Sequence, residues 1–312
     1  MLNFLNILMV KNKNMKSVNF QKNLIVVMLV ALSATFSNTV LAQSSNKKQR
    51  YNVAVCDWMI LKRQKLGAFE LASELKADGI ELDMGGLGNR ETFDSKLADP
   101  VEVKKFKDKS KEFNVGISSI AMSGFYGQSF AKRETVKRMV QDCIDAMKTM
   151  NVKVAYLPLG NQCDLRKNPE LRPIIIERLQ WAAKQVAKIG GVIAIETTLD
   201  ASAERKLLKD IGCKQIKSSF NFSNAIENKK DISEELLILG KKNLAQIHAS
   251  NTDGFWLEND KAIDMPKIKK TLDEMKWSGW LIVERSRDTT QVHNVKANYG
   301  ANVAYLKKIF QN

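Results

Sequence analysis

The chain has 312 residues, with 49 Lys and Arg against 34 Asp and Glu and a formal net charge of +15 at pH 7. Hydrophobic residues make up 44% of it, which is enough for a buried core and excludes a disordered protein. The 16 Gly, 5 Pro and 4 Cys exclude a fibrous, a low-complexity or a small disulfide-rich protein. With two histidines, His248 and His293, a metal site built mainly from imidazole is excluded as well.

Residues 1–42 differ from the rest of the chain. They contain four lysines and no acidic residue, followed by an apolar run over 24–32 and a Val-Leu-Ala tripeptide before Gln43. This order is typical of a secretory signal peptide, with Met15 as an alternative start. The apolar run is shorter than the roughly 18–20 residues that span a bilayer, so no stable membrane anchor is expected. We therefore expect an exported protein, periplasmic or secreted.

Eight apolar, strand-like runs alternate with amphipathic stretches over 51–312, after a polar lead over 43–50. The predicted strands are 52–56, 79–83, 116–121, 152–157, 192–196, 215–220, 244–248 and 280–284. The predicted helices are 68–76, 101–113, 133–150, 171–189, 203–211, 233–239, 266–275 and 299–310. Strands that alternate with helices in this way predict βαβ units and a parallel sheet.

Eight such units within about 270 residues are typical of an α/β fold, the (β/α)8 TIM barrel. An open, doubly wound sheet is disfavoured because no G-x-G-x-x-G motif opens the first helix. No linker or change in composition divides the chain, so the barrel is expected to be a single domain.

The four cysteines are Cys56, Cys143, Cys163 and Cys213. Export would place them in an oxidising compartment, where four cysteines permit three pairings. Cys56 in a strand-like run and Cys143 on a helical face are typical of buried thiols, and no C-x-x-C pair indicates metal or redox chemistry. The sequence leaves their disulfide state open.

Polar side chains occur where five of the predicted strands end. Strand two ends on Glu81 and Asp83, strand five on Glu196, strand seven on His248 and strand eight on Glu284, and Asn221 follows strand six. Chemistry in a barrel lies at the C-terminal ends of the strands. In strand five, the bulky Ile193 and Ile195 suit the helix-facing side, which turns Glu196 toward the barrel axis. The same alternation turns His248 and Glu284 inward.

Carboxylates and an imidazole that converge in one mouth need a cationic partner, because a buried unpaired charge is costly. Oxygen ligands from Glu and Asn together with one His suit Mn²⁺, Mg²⁺, Co²⁺ or Zn²⁺. The other interpretation is an ordinary salt bridge, with Arg285 or Arg287 as the partner of Glu284. Because four polar residues end four successive strands, we favour the metal site.

In this order, the strand-end motifs resemble those of the xylose-isomerase-like barrels known as sugar phosphate isomerases/epimerases. The matching segments are Ile195-Glu196, Phe220-Asn221-Phe222-Ser223-Asn224-Ala225, Gln246-Ile247-His248 and Val283-Glu284. The resemblance runs from Val53 to about Phe310 and implies metal ligands at Glu196, Asn221, His248 and Glu284. It also implies that Glu196 and Glu284 are the catalytic acid and base.

Asn221 departs from the resemblance, because such enzymes usually carry Asp at this position. An Asn can offer its carbonyl oxygen as a ligand. Without the negative charge, however, it should weaken metal binding and leave the ion a stronger Lewis acid. Whether this change tunes the site or marks its decay stays open.

The resemblance implies a metal-dependent sugar isomerase or epimerase that moves a proton beside the carbonyl of a ketose or keto-sugar. A lyase that eliminates from 3-keto-glycosides shares the first step and is an alternative. A catalytically silent carbohydrate-binding barrel is another. Endonuclease IV shares the fold, but its three-metal cluster needs several histidines, so no nucleic-acid partner is expected.

The expected partner is a small carbohydrate, free or glycosidically linked, because sugar phosphates are scarce outside the cytosol. The residues predicted to bind it are Glu81, Asn224, Asp253, Trp256 and Arg287. Trp58, Phe125 and Tyr126 also follow predicted strands and could stack on a sugar, although packing explains them equally well. A homo-oligomer is compatible with the sequence.

Overall fold

The computed structural model describes residues 49–312, so the predicted signal peptide and residues 43–48 of the polar lead lie outside the described residues. The described chain forms one closed barrel of eight parallel strands in sequential order. The strands are β1 Tyr51–Cys56, β2 Gly79–Asp83, β3 Gly116–Ala121, β4 Val154–Pro158, β5 Val192–Glu196, β6 Ile216–Asn221, β7 Leu244–His248 and β8 Gly279–Val283. This architecture confirms the predicted (β/α)8 barrel.

Helices follow the strands and surround the barrel. They are α1 Gly67–Glu74, α2 Pro100–Glu112, α3 Val136–Met150, α4 Arg172–Ala187, α5 Ala201–Ile211, α6 Phe222–Glu227, α7 Ile232–Leu239, α8 Met265–Glu274 and α9 Val295–Phe310. Acidic N-caps start several of them, as Asp200 does for α5 by accepting a hydrogen bond from the Ala203 N–H. Asn151 ends α3 in the left-handed conformation that Asn tolerates well.

The barrel closes through β1 and β8, which pair from Tyr51 opposite Gly279 to Val55 opposite Val283. The Trp280 ring packs against Gly79 at the start of β2, where an added Cβ would lie 2.7 Å from the ring. Side chains that face outward from the strands pack with the helices into one large apolar core. A separate, small apolar cluster of Ala54, Cys56 and Ile282 lies on β1 and β8. Buried polar residues such as Glu81, Gln246 and His248 form the site described below.

Among the helices, the bounds differ most at α9, which begins four residues earlier than predicted, and among the strands at β4, which begins two residues later. In the described chain, the one missed α-helix follows β6. This strand runs one residue further than predicted, and α6 begins directly after it without an intervening turn. Asn221 ends the strand and caps the helix, so no break in the sequence separates the two elements. The short helix α6 was therefore not predicted.

The described segment also shows the state of the cysteines and the hydropathy of the helices. All four cysteines are free thiols there, with Cys56, Cys143 and Cys163 buried and Cys213 half-buried. Within residues 49–312, no helix is both long enough and apolar enough to cross a membrane.

Candidate active site

The ends of β5 to β8 bring four predicted residues into contact. Glu196, Asn221, His248 and Glu284 are all buried, with His248 fully enclosed. His248 Nδ1 lies 3.3 Å from Glu196 Oε2 and 3.5 Å from Glu284 Oε2. Asn221 Nδ2 donates to the same two oxygens at 3.2 and 3.3 Å. Two carboxylates therefore share one pair of nitrogen partners at the C-terminal mouth of the barrel.

Glu81 fixes the orientation of the His248 ring from behind. Its Oε2 lies 3.0 Å from His248 Nε2, and its Oε1 accepts from Ser119 Oγ at 2.6 Å and from Gln246 Nε2 at 2.8 Å. The Cys56 thiol donates to Oε2 as well, at 3.4 Å. Because a carboxylate accepts the Nε2 proton, the other ring nitrogen, Nδ1, faces Glu196 and Glu284. Glu81 thus contacts the imidazole and not the opening of the mouth, where a substrate contact was predicted.

The Asn221 side chain is held by the start of α6. Its Oδ1 accepts from the Ser223 backbone N–H at 3.0 Å and from Ser223 Oγ at 2.8 Å. The amide nitrogen consequently faces the carboxylates, where the metal-ligand prediction placed the oxygen. Within the structure, Asn221 acts as a helix cap and a donor.

Two tyrosines complete the wall of the site: Tyr126, which the sequence analysis named only for stacking on a sugar, and Tyr156, which it did not name. Tyr126, in a 3₁₀ turn after β3, donates its hydroxyl to Glu284 Oε1 at 2.6 Å and also contacts the Tyr156 hydroxyl. The Tyr156 ring lies against the His248 ring, with centroids 4.5 Å apart. Alternation along β4 could have identified Tyr156, because it pairs in register with the inward-facing Ala194. Tyr126 lies in a turn, where no periodicity applies.

Burial and the mutual charges set the protonation of the cluster. Burial raises the pKa of Glu196. Burial acts in the same direction on Glu284, but the charge of the nearby His248 and the hydrogen bond from Tyr126 bring its pKa below the ordinary value. Burial and the nearby carboxylates raise the pKa of the Tyr126 phenol well above its usual range, so it stays a donor. For His248, burial lowers the pKa, but Glu81, Glu196 and Glu284 together raise it well above the ordinary value.

Three of the four predicted ligands fit a divalent cation. Glu196, His248 and Glu284 each offer one ligand atom, and the three atoms lie within 4.8 Å of one another. His248 Nδ1 has no hydrogen-bond partner among the described residues, as expected for a ring nitrogen whose natural partner is an ion. A second cluster of Cys56, Glu81 and His248 Nε2 is less suitable, because burial raises the pKa of the thiol well above its usual range.

The remaining residues that were predicted to bind substrate form hydrogen bonds within the protein. Asp253 Oδ1 accepts from Arg287 Nε at 3.0 Å, which ties the loop after β7 to the loop after β8. Trp256 Nε1 donates to Asn298 Oδ1 at 2.9 Å, and Asn224 Nδ2 donates to the Thr197 carbonyl at 2.8 Å. Their roles in substrate binding stay predictions.

Neither arginine after β8 forms a salt bridge with Glu284. Arg287 pairs with Asp253. Within the described chain, the ion-pair partner of Glu284 is His248, at 3.5 Å. The alternative interpretation of Glu284 as an ordinary salt-bridged residue therefore loses both of its proposed partners.

An eight-stranded parallel barrel with carboxylates and an imidazole at its C-terminal mouth defines a (β/α)8 barrel protein with a candidate acid–base site. Residues 69–309 match the family model described as xylose isomerase-like TIM barrel. The chain therefore belongs to this family, as the strand-end motifs predicted. A comparison of the sequence with curated proteins found no match.

Solved structures share the fold at low sequence identity. A xylose isomerase domain protein from Planctomyces limnophilus is 15% identical with a TM-score of 0.64, over 85% of this chain and 99% of that one. The 3-keto-D-glucoside 4-epimerase from E. coli is 14% identical with a TM-score of 0.64, over 84% and 100%. A sugar phosphate isomerase/epimerase from Parabacteroides distasonis is 13% identical with a TM-score of 0.66, over 85% and 96%. Identities this low show the fold alone.

Proposed function

We propose that this protein is a sugar isomerase or epimerase in which Glu196 and Glu284 move a proton beside the carbonyl of a ketose or keto-sugar. The observation that supports this most directly is the pairing of the two carboxylates. One oxygen of each carboxylate lies within 4.8 Å of one oxygen of the other, and both Oε2 atoms lie within 3.5 Å of the same imidazole nitrogen. Two positioned carboxylates can remove a proton from one face of a carbon and return one to the other.

The hydrogen bonds suggest which carboxylate acts first. Both oxygens of Glu284 are engaged, Oε1 by Tyr126 and Oε2 by Asn221. Glu196 Oε1 accepts no hydrogen bond from the described residues, although its Oε2 is held by Asn221. The donors around Glu284 favour its ionised form, whereas burial favours the protonated form of Glu196. Glu284 therefore takes the C–H proton, and protonated Glu196, whose Oε1 is free, returns a proton to the other face of the carbon. Tyr126 and His248 keep Glu284 in place while this happens.

We further propose that Glu196, His248 and Glu284 hold a divalent cation. When bound, such an ion supplies Lewis acidity toward the carbonyl and hydroxyl oxygens of the sugar. His248 contributes Nδ1 because Glu81 occupies Nε2. A cation on Nδ1 would take the place of a proton, so ion binding should release protons and weaken at low pH.

The proposed substrate is a free or glycosidically linked keto-sugar. Solved structures with the same fold include a 3-keto-D-glucoside 4-epimerase and a D-psicose 3-epimerase, which supports this class. The rings of Trp58 and Tyr156 lie roughly parallel, 13° apart with centroids separated by 6.5 Å. Trp58 is half-buried, so its ring can offer an apolar face to the C–H side of a sugar.

Hydrogen exchange with solvent tests the proposal directly. We expect wild-type protein with Mn²⁺, given ketoses and 3-keto-glucosides in D₂O, to place deuterium on the carbon beside the carbonyl. Glu196→Gln and Glu284→Gln should each lower the exchange rate on the order of 100-fold or more, because each variant lacks one proton carrier. Glu258→Gln changes an exposed glutamate and should keep the wild-type rate.

The products separate the possible reactions. Deuterium incorporation with retention of the aglycone supports epimerisation, and release of the aglycone supports the 3-keto-glycoside lyase instead. Exchange that survives in both glutamine variants would contradict the assignment of Glu196 and Glu284. No exchange with any sugar of the panel, in protein that binds those sugars, would favour the silent binding barrel.

A further inference from the structure

We propose that Asn221 is a hydrogen-bond donor to the site and not an ion ligand, so that three side chains bind the cation. This inference rests on the cation site under the proposed function and concerns Asn221, the residue at which the sequence departs from the resemblance described above. The carboxylates of Glu196 and Glu284 then keep their hydrogen bonds to the Asn221 amide when no cation is bound. The position would then adjust how strongly the ion is held.

The oxygen of Asn221 is committed to the start of α6. The Ser223 backbone N–H can only donate, and Asn221 Oδ1 accepts it at 3.0 Å. The Ser223 hydroxyl donates to the same oxygen at 2.8 Å. Asn221 is the N-cap residue of α6, with an extended backbone that aims its side chain at this N–H.

The nitrogen of Asn221 is committed to the carboxylates. Nδ2 donates to Glu196 Oε2 at 3.2 Å and to Glu284 Oε2 at 3.3 Å. If the amide turned over to present its oxygen to an ion, Nδ2–H would face the Ser223 N–H and the helix cap would be lost. If no ion were present, the turned oxygen would also face two carboxylate oxygens. Both ends of the amide therefore favour the same orientation.

An aspartate at this position would behave differently in both states. One oxygen could still cap α6, while the other would lie beside Glu196 and Glu284 and add a third negative group to a buried cluster. That group repels the two carboxylates when no cation is present and becomes a charged ligand when one is bound. Asn221→Asp should therefore tighten ion binding and make the ion-free protein less stable.

Metal titration and thermal unfolding test this with the full chain. Chelator-treated wild type and Asn221→Asp are titrated with Mn²⁺ in a calorimeter and melted with and without Mn²⁺. We expect Asn221→Asp to bind Mn²⁺ on the order of 10- to 100-fold more tightly, to melt lower in chelator and to show the larger Mn²⁺-induced rise in Tm. Asn294→Asp is the matched control, since it makes the same change at another helix N-cap, that of α9, where the side chain accepts from the Ala297 backbone N–H at 3.1 Å. It should keep the wild-type Mn²⁺ affinity.

A second variant keeps the test decisive if Asn221→Asp does not fold. Asn221→Ser retains a capping hydroxyl but has no amide to reach the carboxylates. A donor at this position predicts that Asn221→Ser binds Mn²⁺ no more weakly than wild type, whereas a ligand predicts a clear loss of affinity. A loss of affinity in Asn221→Ser, or an Asn221→Asp affinity no higher than wild type, would overturn the inference but not the proposal that Glu196, His248 and Glu284 bind a cation. If wild type and both variants bind neither Mn²⁺ nor Zn²⁺, the cation site of the proposed function fails as well.

Discussion

His248 depends on its neighbours on three sides, and this explains how one imidazole can organise the site. Glu81 holds Nε2 from behind at 3.0 Å, and Tyr156 covers one face of the ring at 4.5 Å between centroids. The remaining ring nitrogen, Nδ1, faces Glu196 and Glu284. A ring restrained in this way presents one nitrogen in a fixed direction, which suits an ion ligand or a proton donor better than a freely rotating side chain does.

At the same scale, the Tyr126 hydroxyl should matter for catalysis because it holds Glu284 Oε1 at 2.6 Å. Hydrogen bonds to charged groups contribute about 1.5–3 kcal/mol, so Tyr126→Phe should lower kcat about 10- to 100-fold. Tyr305→Phe is the control, because its hydroxyl makes no hydrogen bond within the described chain. Deuterium exchange on a substrate ketose measures both. A Tyr126→Phe rate equal to that of Tyr305→Phe would mean that Glu284 needs no such support.

At the scale of elements, the strand ends were predictable and the parts between them were not. Glu196, His248 and Glu284 could be placed together from alternation and from the rule that parallel strands end at the same edge. The orientation of Asn221 could not, since it depends on a short helix that starts inside a strand-like run. Tyr126 lies in a turn whose path is set by packing, and no sequence period reports such a path.

Helix α5 carries a buried carboxyl group that should make stability depend on pH. Glu204 is 5% exposed; its Oε2 accepts from Thr197 Oγ1 at 2.9 Å, and its Oε1 has no partner among the described residues. Burial raises the pKa of Glu204 from 4.5 to about 7. The hydroxyls of Ser218 and Thr197 lower this pKa, but by less than burial raises it. The charges of Glu196 on β5 and Glu235 on α7 raise it further. The folded protein therefore favours the protonated form of this residue.

The sign of the effect follows from this raised pKa. The folded state binds the proton more tightly than the unfolded chain does, so this contribution is present below about pH 4.5 and is lost as the pH rises through about 7. Its size is on the order of 3 kcal/mol. Urea unfolding from pH 5 to pH 8 should show wild type losing stability relative to Glu204→Gln. Glu170→Gln, an exposed substitution, should track wild type, and parallel curves for all three proteins would contradict the role of Glu204.

At the scale of the whole molecule, eight repeated units predict a barrel, but closure is a property of the three-dimensional structure. It requires β8 to pair with β1, at a sequence separation that no local pattern reports.

The distribution of the positive charge is also a property of the whole molecule. Lysines on α2 pair with acids one turn away, as Lys104 does with Asp108 at 2.6 Å and Lys105 with Glu102 at 2.7 Å. These pairs make this face of α2 a mixed surface of both signs.

We propose that residues 1–42 direct the chain out of the cytosol and are then removed. Residues 1–42 hold four lysines and no acid, and removal before Gln43 would leave β1, which starts at Tyr51, with a short polar lead. In the native host we expect the mature protein to begin near Gln43 by mass spectrometry and to be found outside the cytosol. Val27→Arg puts a charge into the apolar run and should leave uncut protein in the cytosol. Lys13→Gln lies before the alternative start at Met15 and should be processed as wild type. Full-length wild-type protein in the cytosol would show that residues 1–42 are not a signal peptide. Because the unphosphorylated sugar was inferred from export, that result would also remove the reason to expect it.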